Sequence, residues 1–471
     1  MRVVVVGGGV AGLATAWAIR QEAARRARDV DVLVLEAGPR AGGRIRTTEE
    51  DGYLVEWAAN GIQGTDGAAW RLAESVGLAD ERVIARPESA RRYIAHGGRL
   101  HLLPLSPPAL FRFGAISPWA RLRVALEPFF ARRVQTEESV HDYAARHVGE
   151  EAARVLIGSA VRGIFAGNAK QLSVDAAFPL MRRMERDHRS LVIAMIKRRK
   201  QGGGGPGGRT LWSLRHGIAS LTDALAAKLG PAIRTDTPVL GLGPRPPFGY
   251  ALRLASGEAL EADAVVLATP ARGAAALLKG IDPELARKVG TIEPAGLTVV
   301  GLAMKPEAFR TPPDGYGYLV APDESLDILG ALFESNLFPG RAPEGRVLVR
   351  VMIGGVDRPE LITRSDADLI GLSMKALDRT HGLTSGPERT WVIRQEAAIS
   401  QYPVGHAALL KELDQRLAAL PGLQLTGNPY RGVSVAALIE DAERTATRVL
   451  GADGAARTAA APAAAATATA R

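Results

Sequence analysis

The first sixty residues alternate short apolar runs with an alanine-rich segment of helical spacing. Val3–Val6 is a continuous β-branched run followed directly by glycine, which is typical of a strand buried on both faces of a parallel sheet. A helical pattern runs from Leu13 to about Arg28, and Asp31–Leu35 repeats the buried-strand pattern and ends at Glu36. The pattern therefore predicts a strand–helix–strand unit at the start of the chain.

The connection between the first strand and the helix contains the spacing G-x-G-x-x-G. In such a unit Gly7 allows a tight turn, Gly9 lets the backbone approach a pyrophosphate, and Gly12 lets the helix pack on the strand. The helix N-terminus then faces the phosphate charge. Glu36, 24 residues after Gly12, lies near the usual position of a carboxylate that binds a ribose hydroxyl. The sequence predicts a dinucleotide site, and a glycine turn without a ligand is the alternative.

A second glycine cluster, Arg40-Ala41-Gly42-Gly43-Arg44, follows Glu36 closely. This R-x-G-G-R cluster resembles the second FAD signature of the flavin amine oxidase superfamily, which implies FAD rather than NAD. A second strand-linked G-x-G-x-x-G is not evident, so a domain for NAD(P)H is not predicted. Oxygen or a quinone is therefore the expected electron acceptor.

Composition narrows the chemistry further. The chain has 471 residues, of which 46% are hydrophobic and 23% charged, and this is an ordinary globular balance. It contains no cysteine, which excludes a thiol nucleophile, cysteine-ligated metal sites and a flavin tethered through cysteine. The formal charge of +9 suits nucleic acid, anionic lipid or an acidic substrate. Neither a targeting segment nor a membrane-spanning run is visible, which predicts a cytoplasmic protein.

The later part of the chain is predicted to be interleaved, because the segments at Val239 and Asp263 resemble segments of the superfamily that return to the FAD domain. Strand patterns begin at Val239, Asp263 and Leu423, and a closing helix follows Val435 to about Leu450. The segment 202–208 holds six glycines and a proline and is predicted to be a flexible loop. The alanine- and threonine-rich end of the chain, 452–471, is predicted to be a disordered tail.

The stretch 100–133 is rich in aromatic and basic residues and is broken by prolines. Such a mixture suits anionic lipid headgroups, and it also suits a core or an oligomer contact. It lacks the sheet platform or helical motif expected of a nucleic-acid site. The aromatic and basic residues are Phe111, Phe113, Trp119, Phe129, Phe130, Arg112, Arg121, Arg123, Arg132 and Arg133.

The middle of the chain resembles the oxygen-dependent protoporphyrinogen oxidase family. The resemblance runs from about residue 3 to residue 450, and its middle motifs are more specific than the FAD signatures. The segments that carry it are Val161–Asn168, Gln171–Val174, Phe178-Pro179, Glu185–Ser190, Gly315–Val320, Leu332-Phe333, Phe338-Pro339, Met352–Gly355, Gln401-Tyr402 and Gly405-His406.

The resemblance implies an α/β and α+β fold of the p-hydroxybenzoate hydroxylase and amine oxidase type. A Rossmann-like FAD-binding domain would be interleaved with a mixed-sheet substrate domain and a mainly helical, membrane-associated domain. The FAD-binding domain is expected over 1–85, 212–275 and 420–451. The helical domain is expected over 86–195, and the substrate domain over 196–211 and 276–419.

It also implies site residues, position by position. Arg92 would pair with a propionate of the tetrapyrrole, Gly163 would approach its pyrrole nitrogens, Leu319 and Leu332 would sandwich a ring, and Met352 would stack nearby. The residues implied to bind FAD are Gly7, Gly8, Gly9, Val10, Ala11, Gly12, Glu36, Ala37, Gly43, Arg44, Asn60, Gly61, Val239, Val433, Ser434 and Val435.

The implied reaction is the oxidation of protoporphyrinogen IX to protoporphyrin IX, the penultimate step of heme biosynthesis. Hydride would pass to N5 of non-covalent FAD, with no catalytic side chain and no metal, and O2 would be reduced to three H2O2 per product. Peripheral contact with the inner face of the cell membrane, a homodimer and transient contact with a ferrochelatase are the associated hypotheses, and nucleic acid is not an expected partner.

Two alternatives remain open. The first keeps the fold and changes the substrate to coproporphyrinogen III, an amine or a polyene. The second is a non-catalytic protein that binds flavin or porphyrin. The chain departs from the family at Ala58-Ala59, Gln395, Ser400 and Ala436-Ala437, all near the flavin in the family.

Overall fold

The strands of the protein were located in a computed structural model that describes residues 1–64, 67–104, 107–200 and 210–468. In chain order they are β1 Arg2–Val6, β2 Asp31–Leu35, β3 Thr47–Glu50, β4 Tyr53–Glu56, β5 Ile62–Gln63, β6 Arg82–Ile84, β7 Arg92–His96, β8 Arg99–Leu102, β9 Leu211–Leu214, β10 Ile233–Arg234, β11 Val239–Pro244, β12 Tyr250–Leu254, β13 Ala259–Ala262, β14 Ala264–Leu267, β15 Pro294–Met304, β16 Gly317–Val320, β17 Gly330–Phe333, β18 Val347–Gly354, β19 Arg389–Ser400 and β20 Leu423–Leu425.

Many of the helices are short, and nine of those in the described residues fall between residues 107 and 200. They are α1 Val10–Arg25, α2 Ala68–Ser75, α3 Pro107–Leu110, α4 Pro118–Ala125, α5 Glu127–Phe130, α6 Val140–Val148, α7 Glu150–Ala152, α8 Gly158–Phe165, α9 Val174–Ala177, α10 Pro179–His188, α11 Leu191–Lys200, α12 Ala219–Leu229, α13 Ala271–Leu278, α14 Pro283–Gly290, α15 Glu334–Leu337, α16 Asp366–His381, α17 His406–Ala418 and α18 Val435–Ala468.

A five-stranded parallel sheet forms the first layer, in the order β10-β2-β1-β14-β20. The four valines of β1 are almost fully buried, because both faces of this sheet are covered. Helices α1, α12 and α18 pack on one face. The three-stranded sheet β11-β12-β13 packs on the other face together with α13, α14 and α17. The strand–helix–strand unit predicted at the start of the chain is confirmed as β1, α1 and β2. The strand patterns predicted from residues 263 and 423 are β14 and β20, and both join the same sheet.

A seven-stranded mixed sheet forms the second layer, in the order β19-β15-β18-β17-β16-β7-β8. Its strands are antiparallel except for β7, which runs parallel to β16 with Arg92 beside Gly317. The strands β7 and β8 fall within 86–195, the range for which the sequence predicts a helical domain. The helical part of that range therefore begins after β8, and the preceding hairpin extends the substrate sheet.

Short helices α3–α11 cover the β7 side of the second sheet. Ile94 of β7 is buried among apolar side chains of α4, α7 and the π-helical turn that follows α7. Serines at 117, 139 and 173 accept hydrogen bonds from the first turns of α4, α6 and α9, which explains where these helices begin. The predicted glycine-rich loop over 202–208 lies outside the described residues.

The C-terminal helix α18 packs along α1 and completes the core beneath the first sheet. It extends to Ala468 and so enters the range predicted to be a disordered tail. Alanine has the highest helix propensity of the amino acids, which accounts for helical backbone in this segment. Within the described residues, no helix combines the length and the apolar character needed to cross a membrane.

Candidate active site

The glycine-rich turn after β1 is shaped by close backbone contacts. A Cβ atom on Gly12 would lie 1.9 Å from the carbonyl oxygen of Gly7, so the helix can start at this distance only with glycine there. Gly7 has a φ of +108°, in the region that favours glycine. Because α1 begins at Val10 immediately after this turn, its first N–H groups face the space above Gly8 and Gly9.

The second glycine cluster meets this turn directly. Gly42 N–H donates to the carbonyl oxygen of Gly8 at 2.8 Å, and a Cβ on Gly43 would lie 3.0 Å from the Cα of Gly9. Glu36 binds the same turn, because its carboxylate accepts hydrogen bonds from Gly8 N–H at 2.7 Å and from Gly38 N–H at 2.8 Å. Each of its oxygens keeps a lone pair for a further donor, such as a ribose hydroxyl.

The chemistry of this loop fits a dinucleotide. The first turn of α1 has neither a side-chain cap nor an acidic residue, so its N–H groups and its positive dipole end are available to an anion. Burial lowers the pKa of the Arg44 guanidinium, and no described side chain is paired with it. A pyrophosphate would supply the negative charge that both groups lack.

The other residues implied to bind the cofactor surround this loop at different distances. Asn60 and Gly61 follow β4, and a Cβ on Gly61 would touch the ring of Phe338 at 3.0 Å. Val239 is the first residue of β11. The segment before it lies next to the Glu36 loop, because Thr237 N–H donates a hydrogen bond to the carbonyl of Glu36. Ala37 is an exposed residue of that loop.

A loop before α18 closes the site from the C-terminal side. Tyr402 is buried, and its hydroxyl donates to the carbonyl of Asn428 at 2.5 Å and accepts from Gly432 N–H at 3.0 Å. Ser434 caps α18 by accepting from Ala437 N–H, between Val433 and Val435. The loop is thus tied down at both ends, and Gly427 within it lies against Ala11 of α1.

The register of the seven-stranded sheet brings the implied substrate residues onto one face. Side chains that are paired across neighbouring strands share a face, and side chains two apart along a strand do so as well. One cross-strand row on this face is Arg92, Gly317, Leu332, Arg350, Gly301 and Trp391. The adjacent row is Ile94, Leu319, Gly330, Met352, Val299 and Ile393.

Helix α8 covers part of this face. A Cβ atom on Gly163 would lie 2.4 Å from Cδ2 of Leu319, so the helix backbone approaches the strand at this glycine. Gly330, beside Leu319 in its row, would also bring a Cβ within 3.3 Å of the same side chain. Because Gly163 and Gly330 lack side chains, they leave room for the side chain of Leu319 to project from the sheet.

Arg92 is half-buried, and none of the described acidic side chains forms an ion pair with it. Its guanidinium lies 4.6 Å from the ring centroid of Tyr316, in cation–π geometry. Its Nε is buried without a hydrogen-bond partner in the part of the chain that the structure describes. The neighbouring Arg91 is exposed and forms an ion pair with Asp314 at 3.0 Å. A half-buried guanidinium whose buried Nε lacks a partner on this face indicates a site for a carboxylate ligand.

A buried polar network on the same face was not anticipated from the sequence. Arg350 forms an ion pair with Glu334 at 2.8 Å, and both side chains are almost fully buried. Asn60 donates to Glu334 at 3.3 Å and also interacts with the hydroxyl of Tyr316, whose pKa is raised by burial. A lone arginine within the apolar run of β18 is the signal that could have indicated this network.

Glu56 is a second buried carboxylate near the end of β4. It accepts hydrogen bonds from Ile218 N–H at 2.9 Å and from the hydroxyl of Thr47 at 2.8 Å, and Arg341 lies 3.8 Å away. Burial raises the pKa of Glu56 to about 7, although Arg341 acts in the opposite direction. This carboxylate connects the β3–β4 hairpin to the start of α12.

Comparison with known proteins identifies the family. The family model described as flavin containing amine oxidoreductase matches residues 10–450. Protoporphyrinogen oxidase of Bos taurus is 33% identical over 95% of this chain and 98% of its own. Coproporphyrinogen III oxidase of Bacillus subtilis (strain 168) is 27% identical over 95% of this chain and 97% of its own.

Solved structures agree on the fold. A protein from Exiguobacterium sp. 255-15, provisionally assigned as a protoporphyrinogen oxidase, superposes with a TM-score of 0.81 at 24% identity over 95% of this chain and 98% of its own. A reduced UDP-galactopyranose mutase superposes with a TM-score of 0.72 at 15% identity over 96% of this chain and 95% of its own. The match to the family model runs from residue 10 to residue 450, and the chain therefore belongs to the flavin-containing amine oxidoreductases, a family of flavin-dependent oxidoreductase enzymes.

Proposed function

We propose that this enzyme oxidises protoporphyrinogen IX to protoporphyrin IX, the penultimate step of heme biosynthesis. The observation that carries the proposal is the sheet face on which Arg92 lies in one row with Leu332, and Leu319 lies in the next row with Met352. A flat, apolar tetrapyrrole with carboxylates at its edge needs this combination of apolar walls and one cationic end. The similarity to porphyrinogen oxidases over nearly the whole chain supports the same substrate class.

Arg92 holds one propionate in this proposal. A guanidinium and a carboxylate form two parallel charge-assisted hydrogen bonds, and the unpaired Nε of Arg92 supplies a donor that needs such a partner. The ring of Tyr316 lies against the guanidinium and restrains its orientation. The bound carboxylate therefore sets how the macrocycle enters the site.

Leu319, Leu332 and Met352 provide the apolar surface for the rings. Leu332 is buried, whereas Leu319 and Met352 are half-buried and keep surface free for a ligand. Gly163 places helix backbone at the same point, which brings a carbonyl or N–H close to the pyrrole nitrogens. We assign no side chain as a base, and pyrrole protons leave to solvent or by substrate tautomerism.

FAD, bound without a covalent link, is the cofactor that we propose for the glycine-rich turn. Gly7–Gly12, Glu36, Gly43 and Arg44 would hold its ribose and pyrophosphate, and the loop ending at Val433–Val435 would lie at its ring. When bound, the flavin supplies the two-electron acceptor, and three such oxidations convert the substrate to the product. O2 is the proposed final acceptor, with three H2O2 formed per porphyrin.

Coproporphyrinogen III is the second candidate substrate, because the Bacillus subtilis relative carries that name at 27% identity. The charge on the sheet face favours the first candidate. Arg350 is neutralised by Glu334, so Arg92 is the unpaired guanidinium in the two described rows. A substrate with two carboxylates suits one such cation better than a substrate with four does.

The helical region supplies a surface for peripheral membrane contact, which we include in the proposal. Trp119 and Phe129 are 79% and 80% exposed, and Phe111 and Phe130 are also exposed. Phe113 of the same stretch is buried in the core instead. Arginines border this surface, and contact with the inner face of the cell membrane would suit the apolar product. A homodimer and transient transfer to a ferrochelatase complete the proposal.

The experiment that tests the function follows porphyrin fluorescence in air with the purified, FAD-loaded protein. Protoporphyrinogen IX and coproporphyrinogen III are supplied separately at matched concentrations, with heat-inactivated protein as the control for autoxidation. Faster growth with protoporphyrinogen IX supports the proposal, and a preference for coproporphyrinogen III selects the second candidate. A failure to accelerate either reaction while FAD remains bound would contradict both.

A further inference from the structure

The loop that follows β4 is held from the seven-stranded sheet by two side chains. Gln395 of β19 donates from Nε2 to the carbonyl of Trp57 at 2.6 Å. Arg350 of β18 donates from Nη1 to the carbonyl of Ala58 at 2.6 Å and to that of Glu56 at 3.1 Å. Three successive carbonyls, at residues 56, 57 and 58, are thus bound by side chains from one sheet face.

The same loop is attached to the glycine cluster on its other side. Trp57 N–H donates to the carbonyl of Arg46 at 2.9 Å, and Arg46 Nε donates to the carbonyl of Gly43 at 3.1 Å. The guanidinium of Arg46 also lies 5.2 Å from the centroid of the Trp57 ring. A continuous set of contacts therefore runs from Gly43, through Trp57, to Gln395.

Gln395 and Arg350 together form a clamp on the loop at 56–60. Both side chains lie on the face that carries the proposed substrate residues. Gln395 pairs with Leu297 in the register, and Leu297 lies on the face that also carries Val299 and Met352. Arg350 stands next to Leu332 in its row. The clamp therefore joins the cofactor loops to the substrate face by short polar contacts rather than by apolar packing alone.

We propose that Gln395 and Arg350 are positioning residues that align the flavin-binding loop at 56–60 with the substrate face. The backbone at Ala58-Ala59 carries no proline to restrict it, so the loop depends on outside contacts for its conformation. Hydrogen bonds to three adjacent carbonyls restrict the rotation of the intervening peptide groups. Because β18 also carries Met352 and pairs with Leu332 at Arg350, a change in the loop would change the distance between cofactor and substrate.

Gln395 is the better residue for a test, because removing Arg350 would leave Glu334 buried without its partner. Gln395→Leu removes the amide, and Gln395→Glu keeps the size of the side chain while removing both Nε2 donors. Glu396→Gln is the matched control, because Glu396 is the next residue of β19 and is exposed on the opposite side of the strand.

The test rests on the proposed function, so its main measurement is independent of turnover. FAD is titrated into each apoprotein, and its dissociation constant and the visible spectrum of the bound flavin are recorded. Loss of this partly buried hydrogen bond should raise that constant about five- to tenfold in both Gln395 variants. The spectrum should shift towards that of free flavin, and Glu396→Gln should match the unmodified protein.

Turnover measurements then distinguish the proposed clamp from the proposed function. With an active enzyme, we expect kcat to fall in the Gln395 variants while the KM for porphyrinogen stays unchanged. An unchanged FAD constant and spectrum in both variants would overturn the clamp, whatever the melting temperature of the apoprotein does. If the unmodified protein bound FAD but oxidised no porphyrinogen, the function would fail, and weaker FAD binding by the variants would still support the clamp.

Discussion

Gly163 of α8 and Leu319 of β16 approach so closely that a Cβ atom at 163 would lie 2.4 Å from Cδ2 of Leu319. The helix crosses the sheet face at the one row that also contains Met352. A small residue at 163 therefore decides where the Leu319 side chain stands, and with it the width of the apolar site.

Gly163→Ala should displace Leu319 and narrow the site. The added methyl group costs about 1–3 kcal/mol where it cannot be accommodated, partly offset by the higher helix propensity of alanine. We expect kcat/KM for protoporphyrinogen to fall about tenfold or more, because small displacements of a bound substrate slow its reaction strongly. Gly371→Ala on α16 is the control, since a Cβ there meets nothing within 4 Å. Equal activity of the two variants would contradict the assignment of Gly163.

Arg92→Ala should weaken substrate binding and leave the flavin unaffected. Loss of a charge-assisted pair raises the KM by about ten- to hundredfold, and Arg92→Lys should recover only part of the effect because it cannot form two parallel bonds. Steady-state rates and the flavin spectrum measure the two properties. Arg91→Ala serves as the neighbouring control, since Arg91 is exposed and paired with Asp314. A similar rise in KM for Arg91→Ala would contradict the proposal that Arg92 binds the propionate specifically.

Gly12→Ala should abolish tight binding of FAD. The new Cβ would lie 1.9 Å from the carbonyl oxygen of Gly7, so the turn or the helix must move. The dissociation constant for FAD should increase by at least about tenfold, from the cost of such overpacking. Fluorescence titration of the apoprotein measures it. Gly290→Ala, where the nearest atom lies 3.7 Å from the added Cβ, should bind FAD normally, and normal binding by Gly12→Ala would show that the turn adapts.

The free energy of unfolding should depend on pH through Glu56. Its pKa is raised from 4.5 to about 7, so the folded state holds this proton more tightly than the unfolded state. The contribution of Glu56 to stability is therefore greatest below pH 4.5 and is lost as the pH rises through 7. At about 1.4 kcal/mol per pKa unit, the loss is about 3 kcal/mol.

Urea unfolding of Glu56→Gln and the unmodified protein at several pH values between 5 and 8 tests this expectation. The stability of the variant relative to the unmodified protein should improve as the pH rises, because glutamine carries no charge. Glu396→Gln, at an exposed position of β19, is the control for the loss of one carboxylate. A constant difference for Glu56→Gln would mean that the carboxylate titrates normally.

Trp119→Ser and Phe129→Ser should reduce binding to vesicles of phosphatidylcholine and phosphatidylserine. Both side chains are at least 79% exposed, and each apolar side chain withdrawn from a lipid interface should weaken partitioning by about tenfold. Sedimentation with vesicles measures the bound fraction. Leu240→Ser is the control, because Leu240 is 54% exposed on β11, in another part of the molecule. If all variants bound the vesicles as well as the unmodified protein does, the proposal that this surface contacts lipid would be contradicted.

Local patterns along the chain were sufficient to predict the strand–helix–strand unit and the tight glycine turn within it. The reason is physical, because strand burial, helix periodicity and the steric demands at Gly7 and Gly12 each act over a few neighbouring residues. The resemblance added Arg92, Gly163, Leu319, Leu332 and Met352 as site residues, and the structure places four of them on one sheet face, with Gly163 above it.

Only the tertiary structure decided which distant residues meet. The parallel pairing of β7 with β16 sets Arg92 in one row with Leu332, and no local pattern specifies a pairing across more than two hundred residues. The same long-range packing buries Glu334 beside Arg350 and brings Gln395 to the carbonyl of Trp57. It also buries Phe113 while leaving Phe111 exposed. Sequence determines which face of an element is apolar, and the free energy of packing all elements together determines what each face contacts.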